Sequence, residues 1–277
     1  MTGTRLLVVD ADPAVHEALR PALERSGIVE DVYDGHEAVT QLKKLNCDVV
    51  VAGNGFKGFD AFQLLRRVRA VRPDTRVILT GDADPQHVIQ AIRSRAFSYF
   101  HKPVPPLPLA DMVHQALVAD TWKDDIRVVS ARPEWITLFI RCKFGANERA
   151  TQFLREMQPD LPAHIRDDVA VAFRELLMNA IEHGAKSDPT KRVRVSLLRT
   201  VHAVIGHVQD PGLGFSLDAL PHAAISNPEG WPTKHVEVRL EQGQRPGGFG
   251  ILMTRNMVDE LLYNERGNAA LFVKYLK

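Results

Sequence analysis

The chain has 277 residues, with 35 Lys+Arg against 34 Asp+Glu, two cysteines and 45% apolar side chains. At roughly 100–200 residues per domain this length favours two domains with real cores, and the ordinary composition excludes wholesale disorder. Charge is spread evenly, with 14 basic and 15 acidic residues in 1–120 and 21 and 19 in the remainder, which excludes bulk attraction to a nucleic-acid backbone as the organising principle.

The first 120 residues alternate short apolar runs with amphipathic stretches. Arg5–Asp10 (RLLVVD), Asp48–Ala52 (DVVVA) and Arg76–Thr80 (RVILT) read as strands buried on both faces of a parallel sheet, with weaker strands at Val29–Tyr33 and Ala96–Phe100. Helical patterns lie between them at 13–26, 35–45, 60–71, 84–95 and 107–119, and Asp12-Pro13 and Asp84-Pro85 supply start signals. Five βα repeats predict a doubly wound α/β domain over 1–120, with its functional edge at the C-terminal ends of the strands. The polar stretch TWKDDI places a linker at 121–130. From 131 to 277 an α+β domain is expected. Its strands are predicted near 126–140, 192–198, 203–209 and 269–275, and its helices near 147–157, 161–184 and 249–262. Residues 226–247 carry Pro228, Gly230, Pro232, Gly243, Pro246 and Gly247; a connection of that length reads as a functional lid or as disorder. No apolar run approaches membrane-spanning length, and Asp10 comes too early for a signal-peptide core, so no membrane association and a cytoplasmic location are expected. Cys47 and Cys142 fit no zinc or redox spacing.

Asp10 and Asp12 follow one buried strand, Thr80 ends another and Lys102-Pro103 follows a third, so all gather at one sheet edge. Over residues 5–119 this arrangement resembles the receiver domain of two-component response regulators, whose fold is flavodoxin-like. The resemblance implies that acidic residues after strand 1 and an aspartate ending strand 3 hold Mg²⁺. That aspartate accepts a phosphoryl group, which the Thr and Lys contact. Asp60 in GFKGFDAFQLL matches the family's downstream D-G-x-x-L-L aspartate, and the acceptor belongs seven residues earlier, where Gly53 stands. Glycine has no nucleophile. Ala11 replaces the second acid of the usual adjacent pair, and Asp48 lies about 16 Å away at the wrong end of its strand. The expectation is a pseudo-receiver in which Lys102 pairs with Asp10, serving as a docking or dimerisation surface.

Three segments of the second half matter together. In FRELLMNAIEHG, Phe173–Gly184, a helix would align Ala170, Phe173, Leu177 and Ala180 as an apolar stripe with Glu175, Asn179 and Glu182 opposite. In VQDPGLGF, Val208–Phe215, a strand ends in an aspartate followed by glycines. In PGGFGIL, Pro246–Leu252, glycines lead into a helix, where backbone N–H groups can face phosphate oxygens. Singly these read as an amphipathic helix, a turn and a weak motif.

In this order, from about Ala131 to Lys277, they resemble the GHKL ATPase superfamily, and within it the anti-sigma-factor serine protein kinases. The resemblance implies that Asn179 coordinates the Mg²⁺ bridging the ATP phosphates, an amide oxygen being a suitable hard ligand. It implies that Glu175 is the general base that takes the proton of an attacking hydroxyl. Asp210 would accept a hydrogen bond from the adenine amino group. Gly212 and Gly214 would let the backbone approach the nucleotide, and Gly248 and Gly250 would lie at the phosphate end. Residues 226–247 would cover ATP, with Arg245 near the γ-phosphate.

A phospho-accepting histidine is not expected. His183 reads as a helix cap before Gly184, His164 lies inside the ATPase pattern, and Arg174 stands where many histidine kinases carry His. Trp122, Trp135 and Trp231 read as packing or lid residues. The implied function is an ATP-dependent serine/threonine kinase of the anti-sigma-factor type, regulated by a pseudo-receiver. Its partners would be a STAS-type anti-sigma-factor antagonist carrying an acceptor serine, a sigma factor, or both, with a second copy of the chain forming a homodimer and no nucleic acid bound directly. The alternative is a non-catalytic scaffold that binds ATP or a partner.

Overall fold

In the computed structural model, which describes residues 4–214 and 249–276, the apolar runs of the first half become the centre of a parallel sheet. Strands β1 (Arg5–Val9), β2 (Ile28–Val32), β3 (Val49–Ala52), β4 (Arg76–Gly81) and β5 (Ser98–His101) are ordered β2-β1-β3-β4-β5. All pairs are parallel, with Val8 opposite Val51 and Val51 opposite Ile78. Parallel pairing needs crossovers, supplied by α1 (Pro13–Leu23), α2 (Gly35–Lys44), α3 (Ala61–Val71), α4 (Pro85–Arg93) and α5 (Pro106–Val118). Asp12, Asp34, Asp60 and Asp84 each precede a helix and accept a first-turn backbone N–H at 2.6–3.1 Å. Each such cap stabilises its helix by about 1 kcal/mol.

The expected linker at 121–130 is corrected at both ends. Trp122 is buried in the core with Leu6, Val8, Val51, Ile78 and Phe100, and its ring meets Phe97 edge-on at 5.6 Å. Ile126 already opens a strand of the second sheet, five residues before the expected domain start. The chain divides into two compact units, Met1–Asp124 with Glu156–Asp160, and Asp125–Arg155 with Leu161–Lys277.

The second unit is built on strands β6 (Ile126–Arg132), β7 (Trp135–Arg141), β8 (Arg192–Arg199), β9 (Ala203–Gln209), β10 (Glu260–Tyr263) and β11 (Ala269–Tyr275). Their order is β10-β11-β9-β8-β7-β6, and the pairs are antiparallel. Helices α6 (Phe144–Glu156), α7 (Ala163–Asn179) and α8 (Gly250–Met257) accompany the sheet. Ile136, Leu138 and Ile140 of β7 and Val193, Val195 and Leu197 of β8 are buried at every second position. On α7, Ala170, Phe173 and Leu177 are buried as the stripe predicts, and Ala180 follows them. The Phe173 ring meets Phe272 of β11 at 4.9 Å, and a Cβ on Gly206 of β9 would strike both rings.

Two predicted elements differ. The run 126–140 is a hairpin whose turn falls at Pro133–Glu134, where proline cannot donate to a strand ladder. The run 249–262 is a helix ending at Met257 followed by β10, because its short apolar spacing satisfies either period and pairing with β11 decides it.

Candidate functional site

The first unit gathers Asp10, Gly53, Thr80 and Lys102 at the C-terminal edge of its sheet. Asp10 follows β1 and is 1% exposed. Lys102 Nζ stands 2.7 Å from Asp10 Oδ2, and Asp10 Oδ1 accepts the Asp12 N–H at 3.0 Å. Gly53 follows β3 and donates its N–H to the Val9 carbonyl at 2.8 Å. A Cβ at position 53 would run into the Asp10 carboxylate and come within 3.1 Å of Thr80 Oγ1. Thr80 Oγ1 is itself buried without a hydrogen-bond partner. Asp12 does not join them: its carboxylate accepts the Ala14 N–H at 2.9 Å and caps α1. Among the described residues, no group of three or more His, Cys, Asp or Glu is placed to hold a metal ion.

In the second unit, α7 presents Glu175 and Asn179 one turn apart, both half-buried. Helix α8 begins against them. A Cβ on Gly250 would stand 2.8 Å from Glu175 Oε2 and 3.5 Å from Asn179 Nδ2, so a larger residue here would displace the Glu175 carboxylate. The positive partial charge of the α8 start therefore lies beside a carboxylate and an amide. Thr254, fully buried, fixes this start by donating its hydroxyl to the Gly250 carbonyl at 2.8 Å.

After Asn179 the helix widens into a π turn, Ala180–Gly184, closed by the Ala185 N–H on the Ala180 carbonyl at 2.8 Å. Such turns occur often at functional sites. This one delivers Gly184 to the end of β9, where Asp210 stands. A Cβ on Gly184 would collide with the Asp210 carboxylate, and one on Gly212 would stand 2.5 Å from the Gly184 carbonyl oxygen. Asp210 Oδ1 accepts the Gly212 N–H at 2.7 Å. Burial pushes the Asp210 carboxyl above its ordinary range, while that N–H pulls it down. Gly214 has φ +86°, and a Cβ there would collide with the Arg266 carbonyl.

The predicted residues thus form two groups, Glu175 with Asn179 and Gly250, and Asp210 with Gly212 and Gly214, joined through the π turn. Gly248, Phe215 and the 226–247 stretch with Arg245 lie outside the described residues. His183 is exposed in the π turn. Sequence reasoning missed the brace behind Asp210. Asn268 donates its side-chain amide to the Asp210 carbonyl at 3.1 Å, and its own carbonyl accepts the Asp210 N–H at 3.0 Å. Asn264 donates to Asn268 Oδ1 at 2.9 Å, and Arg266 Nε donates to the Leu213 carbonyl at 3.3 Å. The available signal was a pair of asparagines bracketing Gly267 between two strands.

The model of the response regulator receiver domain matches residues 6–114, and that of the histidine kinase-like ATPase domain matches residues 145–274. The chain is similar to the C4-dicarboxylate transport transcriptional regulatory protein DctD of Pseudomonas aeruginosa, at 35% identity over 116 residues, 41% of this chain and 25% of that protein. It is similar to the DNA-binding response regulator MtrA of Mycolicibacterium smegmatis, at 32% identity over 114 residues, 41% of this chain and 50% of that protein. The chain thus spans a quarter to a half of the length of these curated relatives. Among solved structures it is similar to the BeF3-activated DrrB receiver domain, at 24% identity and TM-score 0.40, covering 42% of this chain and 98% of that one. It is also similar to the signal receiver domain of an HD domain-containing protein from Pseudomonas fluorescens, at 26% identity and TM-score 0.40, covering 42% and 88%. The first unit is a receiver domain of flavodoxin-like fold, and the second is an α+β ATPase domain, which implies ATP binding. No helix among the described residues is long and apolar enough to cross a membrane.

Proposed function

We propose that this chain, a response regulator receiver domain joined to a histidine kinase-like ATPase domain, is an ATP-dependent serine/threonine protein kinase of the anti-sigma-factor type. The coarser statement, a regulated ATP-binding signalling protein, follows from the two domains themselves. The observation that carries the finer one is the close placement of Gly250 against Glu175 and Asn179. It brings a carboxylate, a side-chain amide and the start of a helix into close contact.

In phosphoryl transfer, positioning and charge neutralisation do most of the work. A substrate serine hydroxyl attacks the γ-phosphorus, forming the Ser O–P bond as the bond to the β,γ-bridging oxygen breaks and ADP leaves. Glu175 takes the hydroxyl proton. Asn179 would hold Mg²⁺, which when bound neutralises charge on the phosphates. Asp210 receives the adenine amino group, with Gly212 and Gly184 giving the backbone its close packing there.

The partners of this reading are a STAS-type anti-sigma-factor antagonist carrying the acceptor serine, a sigma factor competing with it, and a second copy of the chain in a homodimer. The receiver domain is read as a pseudo-receiver, because Gly53 offers no nucleophile and Asp10 with Lys102 fills the acceptor position. That same loss supports the second reading, a scaffold that binds ATP or a partner without transfer. Incubating the full chain with Mg²⁺, γ-labelled ATP and candidate antagonist proteins separates the two. Label on an antagonist serine is expected; ATP binding without transfer favours the scaffold.

A further inference from the structure

The sheet of the second unit has two unlike faces. Phe173 of α7 packs on Phe272 from one side, and the strand residues that alternate with the buried ones point to the other. On that outer side the register aligns them in rows. Arg141 of β7 lies directly opposite Arg192 of β8. In the next row Arg194 of β8 pairs with Phe139 of β7, which pairs with Arg127 of β6. A hydroxyl row follows, where Trp135 Nε1 donates to Thr137 Oγ1 and Thr137 Oγ1 meets Ser196 Oγ, both at 3.0 Å. Beyond it Arg132, Trp135, Leu198, Ile205 and Val273 lie side by side across five strands.

One end of this face is therefore basic and the other apolar. Like charges directly opposite one another destabilise a sheet, so the fold bears the Arg141–Arg192 pairing at a cost. The Asp125 carboxylate, 3.4 Å from Arg141 Nε, is shared with Lys143 and Arg149. Arg127, Arg132 and Arg194 are exposed, and among the described residues no carboxylate pairs with them. The Arg127 guanidinium lies 5.4 Å over the Phe139 ring, which holds its charge on this face. Arg194 also acts on the next row, where burial, together with the Arg194 charge, pushes the His207 imidazole down. A second copy of the chain would answer few of these charges. Among the described residues in these rows its one acid is Glu260, at the opposite edge beside Val273 and already accepting the Tyr275 hydroxyl. A nucleic acid would match the arginines and leave Leu198, Ile205 and Val273 uncovered.

We propose that this face docks an acidic segment of a partner protein. Its carboxylates meet Arg127, Arg141 and Arg194, and its apolar side chains cover Trp135, Leu198 and Ile205. Arginine suits the task, because its planar fork takes a carboxylate through two parallel hydrogen bonds. The partner lies on the side of the sheet away from α7, so docking leaves Glu175 and Asn179 open. The inference therefore stands whether or not Glu175 serves phosphoryl transfer.

Fluorescence anisotropy with dye-labelled probes and the full chain tests this. The face runs about 20 Å from Arg192 to Leu198, the length of a helical peptide of about 14 residues. The probes are a leucine–glutamate peptide of that length with one apolar face, its leucine–glutamine counterpart, a glutamate homopeptide, and single-stranded DNA of equal charge. Saturable binding of the leucine–glutamate peptide is expected, at least about tenfold tighter than each of the other three, since both charge and apolar area count. An exposed ion pair contributes up to about fivefold in affinity. The Arg127→Gln, Arg194→Gln double variant is therefore expected to weaken binding about tenfold or more. Arg194→Gln alone, with a loss of about fivefold, carries the test if the double variant misfolds. Equal binding of the glutamine peptide or of DNA, unchanged affinity in the folded variants, or no saturation at millimolar concentration would each overturn the proposal. So would a dimer, seen by sedimentation, that these substitutions dissociate, because the face would then belong to a second copy.

Discussion

Asp10 occupies the space that a side chain at position 53 would need. A Cβ on Gly53 would collide with the Asp10 carboxylate, which Lys102 Nζ meets at 2.7 Å. The ion pair and the glycine therefore depend on each other. Where the receiver resemblance places metal and phosphoryl chemistry, this fold has an internal salt bridge.

Treatment of the full chain with acetyl phosphate and Mg²⁺ is accordingly expected to produce no acyl-phosphate adduct. Intact-mass spectrometry reads the outcome, and an adduct on any aspartate of the first unit would contradict the pseudo-receiver reading.

Lys102→Met leaves the Asp10 carboxylate, 1% exposed, without its charge partner. Breaking a buried pair from one side costs about 3–5 kcal/mol, but the Lys102 side chain is 29% exposed and water can reach the vacancy, so about 2 kcal/mol is expected. Urea unfolding of Lys102→Met and of the Asp10→Asn, Lys102→Met double variant checks this. The double variant should regain most of the loss, since no buried charge remains.

Asn268→Ala removes the amide that holds the Asp210 carbonyl. The expected destabilisation is about 1–2 kcal/mol, the cost of leaving a half-buried carbonyl unsatisfied. ATP affinity should fall with it, measured by titration below the unfolding temperature. Unchanged ATP affinity would mean the β10–β11 turn supports only the fold.

Burial raises the Asp210 carboxyl, so its ionised form is disfavoured in the fold and becomes protonated at a higher pH than an ordinary aspartate. In the proposed function it is the ionised form that accepts the adenine amino group. ATP affinity is therefore expected to decline as pH falls, starting above the usual carboxylate range of about 4. Asp210 by itself makes the fold relatively more stable, not less, over the same descent, because protonation relieves the buried charge. Asp210→Asn should bind ATP more weakly and lose this pH dependence; a parallel profile would assign the titration elsewhere.

Much of the fold was legible because the chain states it locally. Val49–Ala52 is apolar at every position and reads as a strand buried on both faces, and the aspartates before α1 and α4 mark helix starts through capping. The place of Gly53 just after β3, beside Asp10 and Thr80, was visible too, because Asp60 fixes the register in sequence. What failed were decisions made by tertiary pairing. The β6–β7 turn holds no glycine, and Leu261 and Leu262 suit a helix until β11 lies beside them. The Asp210–Asn268 brace joins residues 58 positions apart, and no spacing rule reaches that far. Trp122, read as a packing or lid residue, does pack in the core, although the polar string around it was assigned to a linker.

Gly250→Ala places a methyl group 2.8 Å from Glu175 Oε2 while leaving the α8 backbone angles available to alanine. Because the Glu175 side chain can rotate away, the fold is not expected to suffer. Phosphotransfer should fall about tenfold or more, because the carboxylate must move from its place. Undiminished transfer would detach Gly250 from the site.

The most direct measurement is the rate of label transfer from γ-labelled ATP to an antagonist serine, for the wild-type chain and for Glu175→Gln, with ATP affinity determined in parallel. A general base contributes about 10²–10⁴-fold to such a rate. A loss of that order with ATP affinity nearly unchanged is the predicted result, and transfer at the wild-type rate by Glu175→Gln would contradict the account.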